Sequence, residues 1–217
     1  MSRALDDRQG SSRRRFRPAI ALIAATTLIA GVLRAVETPS VTVQRLIDSV
    51  TAVLDDKSLS ADQKRHKIED FAYTHFNFET VSKLVLARNW KDLTSQQQKD
   101  FIEEFKRHLS VTYGKNIENY NNERAVVTGD REETRGDWTV KSKIVRPNAA
   151  DVLVDYRLRK DPDGEWRIID VIIEGVSLVA NFRSQFQEII SNGGPAKLIE
   201  VLHEKNLKGE PFKTERS

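Results

Sequence analysis

The stretch from Val152 to Ile173, VLVDYRLRKDPDGEWRIIDVII, decides the fold. Apolar residues alternate with charged ones from Val152 to Leu158, which is typical of a strand with one face on the core and one in water. Asp161–Gly164 is a turn, because proline fixes φ and glycine accepts a positive φ. The stretch therefore predicts an antiparallel hairpin. Its second strand, Trp166–Ile173, is apolar on both faces, which indicates a central strand covered on each side.

Two more strands precede this hairpin in the sequence. Trp138–Ile144 shows the same alternation of apolar and polar residues. Ala125–Thr128 is short and β-branched, and the polar loop Asp130–Asp137 joins it to the next strand. The sequence therefore predicts an antiparallel sheet of about four strands.

Apolar spacing near 3.6 residues predicts helices on both sides of the sheet in the sequence. Two capping boxes, Ser60–Gln63 and Thr94–Gln97, mark helix starts. After the sheet, a helix from Leu178 ends at Asn192–Gly194, and Pro195 opens a last helix. Helices, then an antiparallel sheet, then helices predict an α+β fold, a small sheet packed against several helices.

The first 35 residues differ from the rest. Arg13, Arg14, Arg15 and Arg17 precede an apolar run over residues 19–33. A basic segment before about fifteen apolar residues is the layout of a secretory signal peptide. Ala35 is the candidate last residue of the leader, but Leu33 and Arg34 before it do not fit the small-residue pattern of a cleavage site, so an uncleaved inner-membrane anchor is the alternative to cleavage. The arginines fit either the general secretion route or a twin-arginine signal.

The basic character of the chain belongs to this leader. The chain has a net charge of +3 and a pI near 9.1. Residues 1–34 hold seven arginines and two aspartates, a net of +5, which leaves −2 for the remainder. No dense basic stripe remains after residue 34, so nucleic acid is not an expected partner.

No catalytic or metal-binding motif is found in the sequence. Cysteine is absent, and neither phosphate-binding loop pattern occurs. The histidines lack metal-site spacing and are predicted to be solvated: His66, His75, His108 and His203. Ser177 is predicted to cap a helix rather than to act as a nucleophile. We therefore predict no enzyme activity, no cofactor and no metal.

A family resemblance rests on the segment from Asp170 to Phe186, DVIIEGVSLVANFRSQF. This segment resembles the MlaC family, also called the toluene-tolerance or ABC-transporter auxiliary lipid-binding family. Leu86–Trp90, with Ala87 where glycine is usual, resembles a second element of that family. Thr94–Phe105 and Trp166–Asp170 resemble two more. The resemblance covers about residues 40–206.

Membership implies a periplasmic protein whose helices and sheet enclose an apolar cavity for lipid tails. It implies a shuttle for phospholipid between an outer-membrane lipoprotein complex and an inner-membrane ABC transporter, which maintains outer-membrane lipid asymmetry. A branch of the family is associated with hopanoids, so a hopanoid is the alternative ligand. A periplasmic interaction module that carries nothing is the alternative outside the carrier class.

Periodicity alone assigns the aromatic and branched residues to a filled core, whereas the resemblance makes them candidate cavity walls. The candidates are Leu84, Val85, Phe101, Phe105, Leu109, Tyr113, Ile117, Tyr120, Trp138, Val140, Val154, Tyr156, Trp166, Ile168, Val176, Phe182 and Phe186. The predicted organisation is a leader over residues 1–35, a lipid-binding domain over 36–206 and a flexible polar tail over 207–217. The protein is expected to be a monomer.

Overall fold

The computed structural model describes residues 37–117 and 119–212. The predicted leader, with its cleavage site and export signal, lies outside these residues. The helices are α1 (Pro39–Asp55), α2 (Ala61–His75), α3 (Phe78–Leu86), α4 (Ser95–Tyr113) and α5 (Leu178–Lys208). None of the helices in the described part of the chain is long and apolar enough to cross a membrane.

The predicted helix starts are confirmed. The Ser60 hydroxyl accepts the Gln63 backbone N–H at 3.2 Å, and the Thr94 hydroxyl accepts the Gln97 N–H at the same distance. Both glutamine side chains bond back to the backbone N–H of the cap residue, which completes two capping boxes. Ala87 follows α3 with φ of 50°. This positive φ explains why the related family element has glycine there.

The sheet consists of β1 (Arg124–Glu132), β2 (Trp138–Val145), β3 (Val152–Lys160), β4 (Trp166–Ile173) and β5 (Val176–Ser177). The strands lie in the order β1-β2-β3-β4-β5 and every neighbouring pair is antiparallel. The α+β fold is confirmed. The sheet has one strand more than the predicted four, because the chain turns back beside β4 for two residues before α5 begins.

Strand β4 is not central, although both of its faces are covered as predicted. Ile168 and Ile169, which follow each other in the strand, are both buried. The free edge of β4 is covered by the segment between α2 and α3. There the Asn77 N–H donates to the Ile168 carbonyl at 3.0 Å. A strand that is apolar on both faces thus indicates that both faces are covered. It does not indicate that the strand is central in the sheet.

Buried side chains form two clusters. The sheet cluster joins α1 to the inner face of the sheet and contains Val43, Leu46, Ile47, Val140, Val154, Leu158, Ile168 and Val171. The helical cluster joins α3, α4 and α5 and contains Val81, Val85, Leu86, Leu93, Phe101, Phe105, Val179, Phe182, Phe186, Ile190, Leu198 and Leu202. These two clusters are the parts of the structure in which apolar side chains fill the interior.

Helix α5 is broken at Gly194, where φ is 76° and ψ is 170°. The predicted end at this glycine and restart at Pro195 are therefore confirmed.

The predicted flexible tail is wrong for residues 207–212. The helix continues to Lys208, and the Phe212 ring lies 5.3 Å from the ring of Phe186. Residues 213–217 lie outside the described residues.

The prediction that all four histidines are solvated is wrong for His108, which is buried. Asn206 donates through its amide nitrogen to Glu104, so its oxygen accepts from Nδ1 of His108 at 3.0 Å. Nε2 of His108 accepts the Phe212 N–H at 3.3 Å. Helix α5 and the segment after it cover the α4 face that looked polar in sequence. Burial is the main cause that lowers the pKa of His108, so the ring is neutral.

Because His108 has a lowered pKa, the unfolded chain binds a proton before the folded chain does as pH falls. The free energy of unfolding should therefore decrease as the pH falls below about 6.5, by at most about 1.4 kcal/mol per pH unit. The His108→Gln variant should lose this slope. Urea unfolding at pH 8, 7, 6 and 5.5 measures it, and His66→Gln, on an exposed part of α2, is the control. Equal slopes in all three proteins would contradict the assignment.

Candidate functional site

A pocket of about 630 Å³ lies between α1, α2 and the inner face of β1–β3. Its lining consists mainly of aliphatic and aromatic side chains, with a few polar groups. The lining residues are Leu46, Ile47, Val50, Thr51, Leu54, Ile68, Ala72, Phe76, Ile117, Asn119, Tyr120, Glu123, Ala125, Ile144, Arg146, Val152 and Tyr156. Pockets that bind small molecules are usually apolar and about 300–1,000 Å³ in size.

Helices α1 and α2 form one wall of the pocket, and helical periodicity explains which of their side chains face it. Leu46, Val50 and Leu54 recur every four residues on α1 and therefore lie on one face of that helix. Ile68 and Ala72 have the same spacing on α2. Two amphipathic helices thus turn their apolar faces toward one space above the sheet.

The inner face of β1–β3 forms the opposite wall, and the strand register shows which side chains lie together there. Ala125 of β1 lies opposite Ile144 of β2, and Ile144 lies opposite Val152 of β3. These three side chains form one row on the inner face. Tyr156 lies on the same face, four residues further along β3. Burial raises the pKa of Tyr156, so its phenol is neutral.

Polar side chains collect at one end of the pocket, beside the start of β1 and the end of β2. The Tyr120 hydroxyl donates to Asp55 at 2.8 Å and accepts a hydrogen bond from Arg124. Arg124 also pairs with Asp55 at 3.0 Å. Burial and the bond to Asp55 raise the pKa of Tyr120. This triad fixes the end of α1 to the sheet, and we call the polar end of the pocket the mouth.

The structure brings only a few of the predicted site residues to this pocket. Ile117, Tyr120 and Tyr156 line it. Five others lie on the sheet side of the molecule without lining the pocket, and Trp138 and Trp166 among them pack edge to face at 6.4 Å. The other three of these five, in the sheet cluster, are Val140, Val154 and Ile168.

The remaining predicted site residues lie away from the pocket. Eight pack in or against the helical cluster: Leu84, Val85, Phe101, Phe105, Leu109, Tyr113, Phe182 and Phe186. Val176 is 43% exposed on β5. The reason is that α4 faces α5 and its aromatic rings fill the space between the two helices, with Phe105 and Phe182 centred 5.2 Å apart.

The candidate set omitted most of the pocket. The apolar stripes of α1 and α2 have helical periodicity in the sequence, but periodicity alone does not distinguish a pocket wall from a filled core. Ala72 and Ala125 were the remaining clue, because small side chains at apolar positions leave space where larger ones would fill it.

The segment that carries the family resemblance forms a corner of the fold. The two oxygens of Asp170 accept from the Val179 N–H at 3.1 Å and from the Ser177 hydroxyl at 2.5 Å. The Ser177 hydroxyl in turn accepts the Ala180 N–H at 3.0 Å. The predicted cap is confirmed, and both polar groups are engaged in starting α5.

Glu174 and Gly175 make the tight turn between β4 and β5. Both have positive φ, 49° and 79°, as a two-residue hairpin turn of type I′ requires. Glu174 also accepts the Leu153 N–H through its side chain at 2.5 Å, and its own N–H donates to the Leu153 carbonyl at 2.9 Å. These contacts give the motif a structural role. Across the described ranges no group of three or more His, Asp or Glu side chains is placed to hold a metal.

Comparisons with known proteins identify the family of this chain. Residues 44–204 match the family model of the MlaC protein. The toluene tolerance protein ttg2D of Pseudomonas putida is 30% identical over 115 residues, 52% of this chain and 53% of that protein. The intermembrane phospholipid transport system binding protein MlaC of Haemophilus influenzae is 23% identical over 128 residues, 58% of this chain and 60% of that protein. The chain thus spans little more than half the length of these relatives.

A solved structure shares the fold over most of the chain. It is the phospholipid-binding protein of Ralstonia solanacearum in complex with a phospholipid, with a TM-score of 0.72 and 26% identity. The match covers 80% of this chain and 99% of the other.

Proposed function

This chain belongs to the MlaC family, and from that membership and the pocket we propose that it is a periplasmic carrier of phospholipid. The acyl tails occupy the pocket between α1, α2 and the sheet, and the headgroup lies at the mouth. The observation that carries the proposal is the apolar 630 Å³ pocket with one polar end, in a fold shared with a phospholipid complex.

The energetics support tails as the buried part of the ligand. Each methylene group removed from water contributes about 0.8 kcal/mol, so acyl chains bind tightly without a dedicated polar site. The lining supplies such an environment through Leu46, Ile68 and Phe76 on one side and Ile144 and Val152 on the other. A neutral Tyr156 adds an aromatic surface without a charge.

The same energetics require help for release. Water does not compete for buried tails, so lipid leaves only when a partner opens the pocket or offers an equally apolar path. We propose that the partners are an inner-membrane ABC transporter complex and an outer-membrane lipoprotein complex. Asp170 and Ser177 are engaged in backbone capping, and the protein acts by binding rather than by catalysis.

Recovery of bound lipid tests this proposal. The full-length chain is expressed with its leader in a Gram-negative host, purified from the periplasmic fraction and extracted with organic solvent. Mass spectrometry should find about one diacyl phospholipid per chain, and the mass of the protein shows whether the leader was cleaved. Protein that is consistently free of lipid would contradict the proposal. A polycyclic triterpenoid in place of phospholipid would identify a hopanoid as the cargo.

A further inference from the structure

Two oppositely charged side chains lie at the mouth of the pocket. Glu123 and Arg146 both line the pocket. The last ladder pair of β1 and β2 is Arg124 with Val145. Glu123 lies immediately before β1 and Arg146 immediately after β2, at the same end of the ladder. Ala125 lies two residues after Glu123 and Ile144 two residues before Arg146, both on the inner face, and side chains alternate along an extended chain. The two charges therefore flank the mouth from the adjoining ends of two neighbouring strands.

Among the described residues, each of these side chains makes one hydrogen bond through one of its polar atoms. Arg146 donates through Nε to the Ala150 carbonyl at 2.7 Å, which leaves both Nη atoms for another acceptor. Glu123 accepts the Asn121 N–H through Oε2 at 2.6 Å, which leaves Oε1. Within the described ranges no ion pair involves either residue, and both are half-buried.

The charged pair beside the mouth does not line the pocket and is already neutralised. Asp55 and Arg124 pair with each other at 3.0 Å and share the Tyr120 hydroxyl. Among the described residues that line the pocket, Arg146 is therefore the positive group and Glu123 the negative group that the mouth presents to a ligand. A half-buried charge without a partner is unfavourable, and a ligand that carries both charges satisfies both residues at once.

We propose that Arg146 and Glu123 select a zwitterionic headgroup, a phosphodiester that carries an ammonium group. The phosphate is attached directly to the glycerol that bears the tails, and Arg146 binds it with the geometry that guanidinium offers to phosphate. The ammonium lies further out and pairs with Glu123. An anionic headgroup has no cation for Glu123 and places its negative charge near that carboxylate. This inference rests on the proposed function, because the lipid must first occupy the pocket.

Competition between two lipids tests the inference. Delipidated full-length chain is incubated with vesicles of dioleoyl phosphatidylethanolamine and dioleoyl phosphatidylglycerol in equal amounts, and the lipid on the re-isolated protein is quantified. The wild type should be enriched in phosphatidylethanolamine. Glu123→Gln should reduce the ratio of the two bound lipids by about two- to fivefold, the range for a partly exposed ion pair, with total uptake unchanged. Arg146→Gln should reduce uptake of both lipids, because both contain the phosphate.

Two matched variants control for charge alone. Glu132→Gln removes a carboxylate at the exposed far end of β1, and Lys141→Gln removes a cation on the exposed face of β2. Both should behave as the wild type does, and circular dichroism checks that every variant is folded. Wild-type uptake in the vesicle ratio, or a ratio that Glu123→Gln leaves unchanged, would overturn the headgroup assignment alone. A wild type that takes up neither lipid would overturn the proposed function as well.

Discussion

The double variant Ala72→Trp/Ala125→Trp is expected to fold and to lose nearly all lipid binding. Both alanines line the pocket, one from α2 and one from β1. Two indole groups in place of methyl groups occupy space that the tails need. If they displace about five methylene groups at about 0.8 kcal/mol each, the affinity falls nearly a thousandfold. Titration with a fluorescent phospholipid measures this loss.

A matched control adds the same two side chains outside the pocket. Tyr73 and Val126 each follow one of the alanines and are 44% and 45% exposed. The variant Tyr73→Trp/Val126→Trp should bind lipid as the wild type does. Equal lipid binding by the two double variants would show that the tails lie elsewhere.

Phe186→Ala should have the largest effect on stability and little effect on lipid binding. Phe186 is fully buried in the helical cluster, where its ring lies 5.7 Å from that of Phe105 and 5.5 Å from that of Phe182. Truncation of a buried phenylalanine to alanine typically costs about 3–5 kcal/mol, through lost burial and the cavity left behind. Urea unfolding measures the loss.

The same residue separates the filled core from the pocket. At a temperature where Phe186→Ala remains folded, its lipid affinity should equal that of the wild type, since Phe186 does not line the pocket. Leu207→Ala, at a side chain that is 72% exposed, should change stability by less than about 0.5 kcal/mol. A large loss of lipid affinity in folded Phe186→Ala would place the ligand among the aromatic rings.

Local signals in the sequence were sufficient for the elements of the fold. The capping box at Ser60 and the turn at Gly164 are determined by residues a few positions apart, so each could be read without knowledge of the rest. The cap by Ser177 and the break at Gly194 are of the same kind. These features are confirmed because their physical causes lie within one segment.

The location of the pocket could not be read in this way. An aromatic stripe looks the same in sequence whether its partner fills the space or leaves it open. Phe101 and Phe105 are opposed by phenylalanines of α5, which close the space. Ile68 of α2 and Ala125 of β1 face a space that remains open. Only the packing of elements distant in sequence distinguishes the two outcomes, and the same is true of the burial of His108 under the end of α5.

Cross-linking from the lipid tail tests the central claim most directly. A phospholipid with a photoreactive diazirine at the end of one acyl chain is loaded into the protein and irradiated, and the modified peptides are identified by mass spectrometry. Adducts should fall on pocket-lining residues of α1, α2 and the inner sheet face, such as Leu46, Ile68 and Val152. Adducts concentrated on the helical cluster, around Phe105 and Phe186, would contradict the account.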